Sequence, residues 1–156
     1  MTPKKIYDLR EARAALERYC AIRERSIREV ELKMRGMQLI TVAQEEILVH
    51  LLQNNFLNER RYAQAFAEGH LRQTEWGKIK IAYALRQQGV ADKTIQETLN
   101  ALDETEYLEI LQRVTLKKWP TLRERTRRER ERKLFTFLQG KGFESAQIAE
   151  AIKTIP

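Results

Sequence analysis

Apolar residues in this chain return every three or four positions, and the runs they mark are separated by single glycines, prolines or short polar residues. That spacing predicts helices, because no alternation of apolar and polar positions is sustained long enough for a strand. Nine helices are expected, over 8–24, 26–35, 41–54, 58–73, 77–88, 92–102, 103–118, 121–139 and 145–155. Their starts are read from caps. Asp8, Ser26, Thr41 and Asp103 each stand three residues before a Glu or Gln, so side chain and backbone can satisfy one another, while Asn58, Asp92 and Ser145 offer single caps. Trp119-Pro120 separates the seventh helix from the eighth, since proline disfavours helical geometry in the residue before it.

The pattern also repeats. Gly36, Gly89 and Gly142 lie 53 residues apart; Leu32, Leu85 and Leu138 keep that interval upstream, and Met37, Val90 and Phe143 follow the glycines directly. Ile95, Leu99 and Leu102 recur as Ile148, Ile152 and Ile155. In the first copy the matching Ile47 and Leu51 come about five residues late, which a third helix beginning about a turn earlier would explain. A unit of three short helices cannot bury its own apolar face, so the copies must stack. The expected fold is therefore all-α, an elongated, curved array of three tandem three-helix, helix-turn-helix-like repeats over 1–56, 57–102 and 103–156. The glycine after each second helix is expected to take positive φ and turn the chain into the third.

Composition adds a partner class. The net charge is +7, and nine basic residues against three glutamates between Lys117 and Lys133 account for most of it. An acidic partner follows: nucleic acid, an anionic protein surface or anionic lipid. No apolar run reaches the ~20 residues a bilayer span needs. The opening MTPKKIYDLREARAAL lacks the apolar core of a signal peptide, and the single Cys20 cannot form an internal disulfide. A cytoplasmic protein is expected.

For catalysis the inventory is poor. Cys20, His50 and His70 are dispersed, with no C-x-x-C or H-E-x-x-H pairing and no glycine-rich phosphate loop. The reading is a protein that is not an enzyme and carries neither metal nor cofactor, with Cys20 a small core residue. The strongest local feature is the basic helix expected over 121–139. There Arg123, Arg127 and Arg130 would share one face, Arg125, Arg128 and Arg132 the adjoining one, with Leu134, Phe137 and Leu138 toward the core and Lys117 and Lys118 just upstream. Glu124 with Arg128 and Glu129 with Lys133 are expected helix pairs. A second cluster, Arg60, Arg61, Arg72, Lys78 and Lys80, flanks Trp76, for which packing and ligand contact are equally open readings. The excess of arginine favours bidentate recognition of phosphate or carboxylate. No arrangement commits to reading particular bases, so phosphate contact is the expectation.

Several ordered segments resemble the RecX family of RecA regulators. Arg25-Ser26 with Glu29-Val30 and Lys33-Met34-Arg35-Gly36 is similar to that family's opening run, and Phe56 to Ala63 (FLNERRYA) to its L-D-D-x-R-[FY]-A signature. Trp76-Gly77-Lys78 through Lys80-Ile81 to Leu85-Arg86 and Gly89-Val90 is similar to the central segment, and Gly140-Lys141-Gly142-Phe143 to the closing one. Asn58-Glu59 replaces the usual Asp-Asp, and Gln88 the usual Lys; Asn58 should still cap its helix. The resemblance implies tandem three-helix repeats and a modulator, usually an inhibitor, that lies in the groove of the RecA–DNA filament and limits ATP hydrolysis, strand exchange and growth; a monomer is expected. The thirteen cations named above would contact RecA or DNA phosphates. A stand-alone DNA-binding protein and a helical scaffold unrelated to DNA are the alternatives.

Overall fold

The computed structural model describes residues 7–156; the first six, which belong to the amino-terminal stretch read above for a signal peptide, lie outside the described residues. Among the described residues the regular structure is helical: α1 Leu9–Ile22, α2 Ile27–Arg35, α3 Thr41–Gln53, α4 Glu59–Gly69, α5 Lys78–Gln87, α6 Asp92–Asn100, α7 Glu104–Lys118, α8 Arg127–Gly140 and α9 Ser145–Lys153. A π turn, His70–Thr74, extends α4, and a 3-10 turn, Trp119–Thr121, closes α7. The elements form three consecutive three-helix units.

Most caps act as expected. Asp8, Asn58 and Asp103 accept backbone N–H groups three residues on, but of the reciprocal pairs expected at Asp8, Ser26 and Asp103 only Ser26 with Glu29 forms the full box among the described residues. Three of the expected caps do not form. Thr41, Asp92 and Ser145 are the first helical residues, and the side chains of the residues before them (Ile40, Ala91, Glu144) do not cap the helix. Gln44 instead donates to the Leu39 carbonyl, 2.8 Å away. Helix α8 begins at Arg127, not 121, because Thr126 caps it by accepting from the Glu129 N–H.

The repeat is real, but its first register is shifted. Gly89 and Gly142 take positive φ (78° and 96°), whereas Gly36 is right-handed at −69° and Gln38 holds the left-handed position at 57°. Counted from Gln38, each third helix starts three residues later, at Thr41, Asp92 and Ser145. Val30, Ile81 and Leu134 then correspond, as do Met34, Leu85 and Leu138, all buried; Leu32, assigned to that row by the glycine spacing, is exposed. With the loops equal, the extra residues of the first unit lie inside α3, which has 13 residues against nine in α6 and in α9. The expected longer helix, rather than a longer loop, is what the chain uses.

The cores divide the three units unequally. Leu16, Val30, Met34, Ile47 and Leu51 belong to a core confined to the first unit with Leu57, while Ile81, Leu85, Ile95, Tyr107, Leu138 and Phe143 share one continuous core spanning the second and third. Backbone bonds lock those two together. The N–H groups of Gly77 and Ile79, unpaired at the start of α5, donate to the carbonyls of Lys141 (2.7 Å) and Gly142 (2.9 Å) in the α8–α9 turn. Between them the Lys78 N–H donates to the buried Tyr107 hydroxyl (3.0 Å), which donates in turn to Glu144. A Cβ on Gly77 would overlap the backbone of Gly142 and Phe143, and one on Gly142 would overlap Lys80, so both must be glycine.

Among the described residues, the hydrogen bonds that join the first unit to the other two each use a side chain. Arg61 Nε donates to Glu24 (2.9 Å), the buried Ser26 hydroxyl donates to Gln88 Oε1 (3.0 Å), and Arg28 donates to the Gln87 carbonyl. Gln88, the departure from the family's lysine, thus serves this joint as an acceptor, which an ammonium could not do.

A candidate basic interface

Five of the thirteen cations are held by carboxylates of the same chain. Arg61 binds Glu24 and also the Asn55 carbonyl (2.8 Å), pinning the loop before α4 to the first unit. Arg72 forks onto Glu106 at 2.6 and 3.2 Å, tying the π turn to α7; this bond holds the Glu106 carboxyl below its ordinary range and raises the guanidinium. Lys78 reaches Glu104 (3.1 Å) over the Tyr107 ring, and Arg60 lies 3.4 Å from Glu97. Arg127 bonds Glu131 (3.1 Å) and the carbonyls of Ile155 and Pro156, fastening the carboxyl terminus to α8.

The other eight make no ion pair among the described residues: Lys80, Lys117, Lys118, Arg123, Arg125, Arg128, Arg130 and Arg132. Seven belong to the third unit, between the end of α7 and the middle of α8. Some rest on rings. Lys118 sits over Phe137 (4.5 Å) and Arg130 over Trp119 (5.0 Å), with Arg127 on the same indole (5.4 Å). Trp119 is therefore a platform that stiffens the arginines beside it.

The late start of α8 alters the expected faces. Arg123 and Arg125 lie in the non-helical link before the cap, so they cannot share helical stripes with Arg127, Arg130, Arg128 or Arg132. The expected Glu124–Arg128 pair is replaced by Glu124 with Lys133 (2.7 Å), a bond that holds the Glu124 carboxyl below its ordinary range, and Glu129 makes no pair with Lys133. Leu134 and Leu138 are buried as expected, and Phe137 packs partly against the same core.

Trp76 is chiefly a packing residue. It stacks on His70 (centroids 4.0 Å apart, planes 12° apart), beside Phe66, and Lys80 lies over its ring at 4.8 Å. Burial, with the nearby Lys80 charge, pushes the His70 imidazole below its usual pKa. Cys20 is buried, as expected, and burial raises its thiol. His50 bonds Glu17 (2.7 Å). Among the described residues no group of three or more His, Cys, Asp or Glu is placed to hold a metal ion, and no helix is long and apolar enough to cross a membrane. The inter-unit bonds of Gly77, Ser26 and Gln88 were not legible beforehand; the adjacency of Gly77 to Trp76 was the only available signal.

Comparison with known proteins places this geometry. Residues 58–99 match the model of the second three-helix domain of RecX, and 104–152 that of its third. The regulatory protein RecX of Prosthecochloris aestuarii is 33% identical over 147 residues, covering 91% of this chain and 93% of that protein. Its counterpart in Clostridium acetobutylicum is 29% identical over 132 residues, 82% of this chain but 61% of the relative. Among solved structures, RecX from Lactobacillus salivarius superposes with a TM-score of 0.84 at 21% identity, covering 93% of this chain and 94% of that one. A second RecX structure gives 0.83 at 23% identity, with 94% and 72% covered. At such identities these two speak for the fold.

Proposed function

This chain belongs to the RecX family of regulatory proteins, and on that premise we propose that it is a negative regulator of the RecA recombinase that lies in the groove of the RecA–DNA filament. There it limits ATP hydrolysis, strand exchange and filament growth. The observation that carries this reading is the distribution of unpaired charge: seven cations without an internal carboxylate occupy one stretch of the third unit. Charge left unneutralised by the fold is available to DNA phosphates or to acidic protein surface. The lock between the second and third units supports it further, since two units held as one body lose less entropy on docking. The first unit adds a tethered third contact at high effective concentration.

The test follows from which arginines are free. Arg127 and Arg130 have structural attachments, so the informative variant changes Arg123, Arg125, Arg128 and Arg132 together to Glu. RecA ATPase on single-stranded DNA is measured against protein concentration at several salt concentrations. The variant is expected to need at least ~10-fold more protein for the same inhibition, and the salt dependence should flatten. Undiminished inhibition would remove this surface from the mechanism, and selective duplex binding without RecA would favour a stand-alone DNA-binding protein.

A further inference from the structure

Helices α8 and α9 enclose an open groove of about 450 Å3 on the outside of the third unit. Its floor is apolar, made by Phe135, Ala149 and Ile152, and its rim carries Arg128, Arg132 and Lys153. Glu131, the carboxylate in the lining, is already bonded to Arg127. Lys153 meets Glu150 in an exposed pair, which competes weakly with a new partner, and Arg128 and Arg132 make no ion pair among the described residues.

We propose that this groove binds an acidic peptide segment of a partner protein, one that inserts a large aromatic or aliphatic side chain between its carboxylates. The volume accommodates such a side chain with its flanking backbone. Arg128 and Arg132 stand one turn apart on the same face, so each can fork onto a carboxylate while the anchor covers Phe135 and Ile152. Nucleic acid fits less well. A stacked base needs an open aromatic face, and Phe135 is packed partly against the core. The cations are not repeated in the preceding unit: Ile79 and Asn100 hold the sequence positions of Arg132 and Lys153, and Glu75, matched in sequence to Arg128, lies before the start of α5. The inference goes beyond the recombinase reading; it shares two arginines with that surface but requires neither RecA nor DNA.

The experiment is fluorescence anisotropy of a labelled peptide of four aspartates followed by two phenylalanines, with the full chain. Replacing both phenylalanines by alanine should weaken binding roughly tenfold or more. Arg132→Glu and Ala149→Glu, the latter an exposed position where a longer side chain plugs the groove without touching the core, should each do the same, while Lys93→Glu on α6 should change nothing. Circular dichroism of each variant checks the fold. Equal binding of the alanine peptide, or undiminished binding by Ala149→Glu, overturns the proposal, as does stronger dependence of an oligothymidine than of the peptide on Ala149. RecA inhibition by Ala149→Glu is read separately, so loss of the peptide site and loss of filament regulation are distinguishable.

Discussion

Gln38 shows how a single position can carry a repeat that its letters conceal. A side chain with a Cβ sits at φ 57°, where the other two units place glycine at φ 78° and 96°. Left-handed backbone costs a non-glycine residue about 1 kcal/mol or more, so Gln38→Gly is expected to stabilise the first unit by about that amount, read by urea unfolding. Tyr62 offers a second test. Burial first, and the Glu29 charge second, push its hydroxyl up to about 12. The folded chain then keeps the phenol neutral where the unfolded chain, with an ordinary value near 10, has already ionised. The stabilisation is present below pH ~10 and is lost as pH rises toward 12. Tyr62→Phe should remove that part of the alkaline fall in stability, measured as the difference in unfolding free energy between variant and parent from pH 9 to 12; an unchanged slope would discard the assignment.

Among elements, the decisive contact is the start of α5 against the turn between α8 and α9. A helix start has N–H groups to donate and a helix end has carbonyls to accept, so the two ends satisfy one another without any side chain. That requires the backbones to touch. Gly77→Ala is therefore expected to cost roughly 3 kcal/mol, from overpacking and the loss of these bonds. Gly69→Ala, at the end of α4 with open space around it, is the matched control and should be neutral or slightly stabilising. Thermal unfolding of the pair reads the difference; equal effects would mean that the contact does not hold the two units. The same scale explains the basic segment. Thr126 outcompetes earlier residues as a cap, and this sets Arg123 and Arg125 off the helix.

At the scale of the molecule, one core serves the first unit and another serves the other two together. Cooperativity should follow that division. Leu51→Ala in the first core and Leu138→Ala in the second should each cost about 2–5 kcal/mol, but in different bodies. Hydrogen exchange is expected to show faster exchange confined to α1–α3 for Leu51→Ala, and throughout α4–α9 for Leu138→Ala. Loss of protection throughout α1–α9 in both variants would mean a single cooperative unit. A regulator built this way presents a stiff two-unit body with one more loosely attached arm.

Helix type and most caps, the burial of Leu85, Ile95, Leu138 and Ile148, and the concentration of charge before and within α8 were determined by the chain alone, because each rests on residues within a turn or two of one another. The repeat interval was legible too, in the two units where glycine holds the corner. Which cations are free was not. Arg61 and Glu24, Arg72 and Glu106, and Gly77 and Lys141 are brought together across 37, 34 and 64 residues. Local spacing carries no information about such pairs; only the stacking of the units decides them, and with them which arginines remain for a partner.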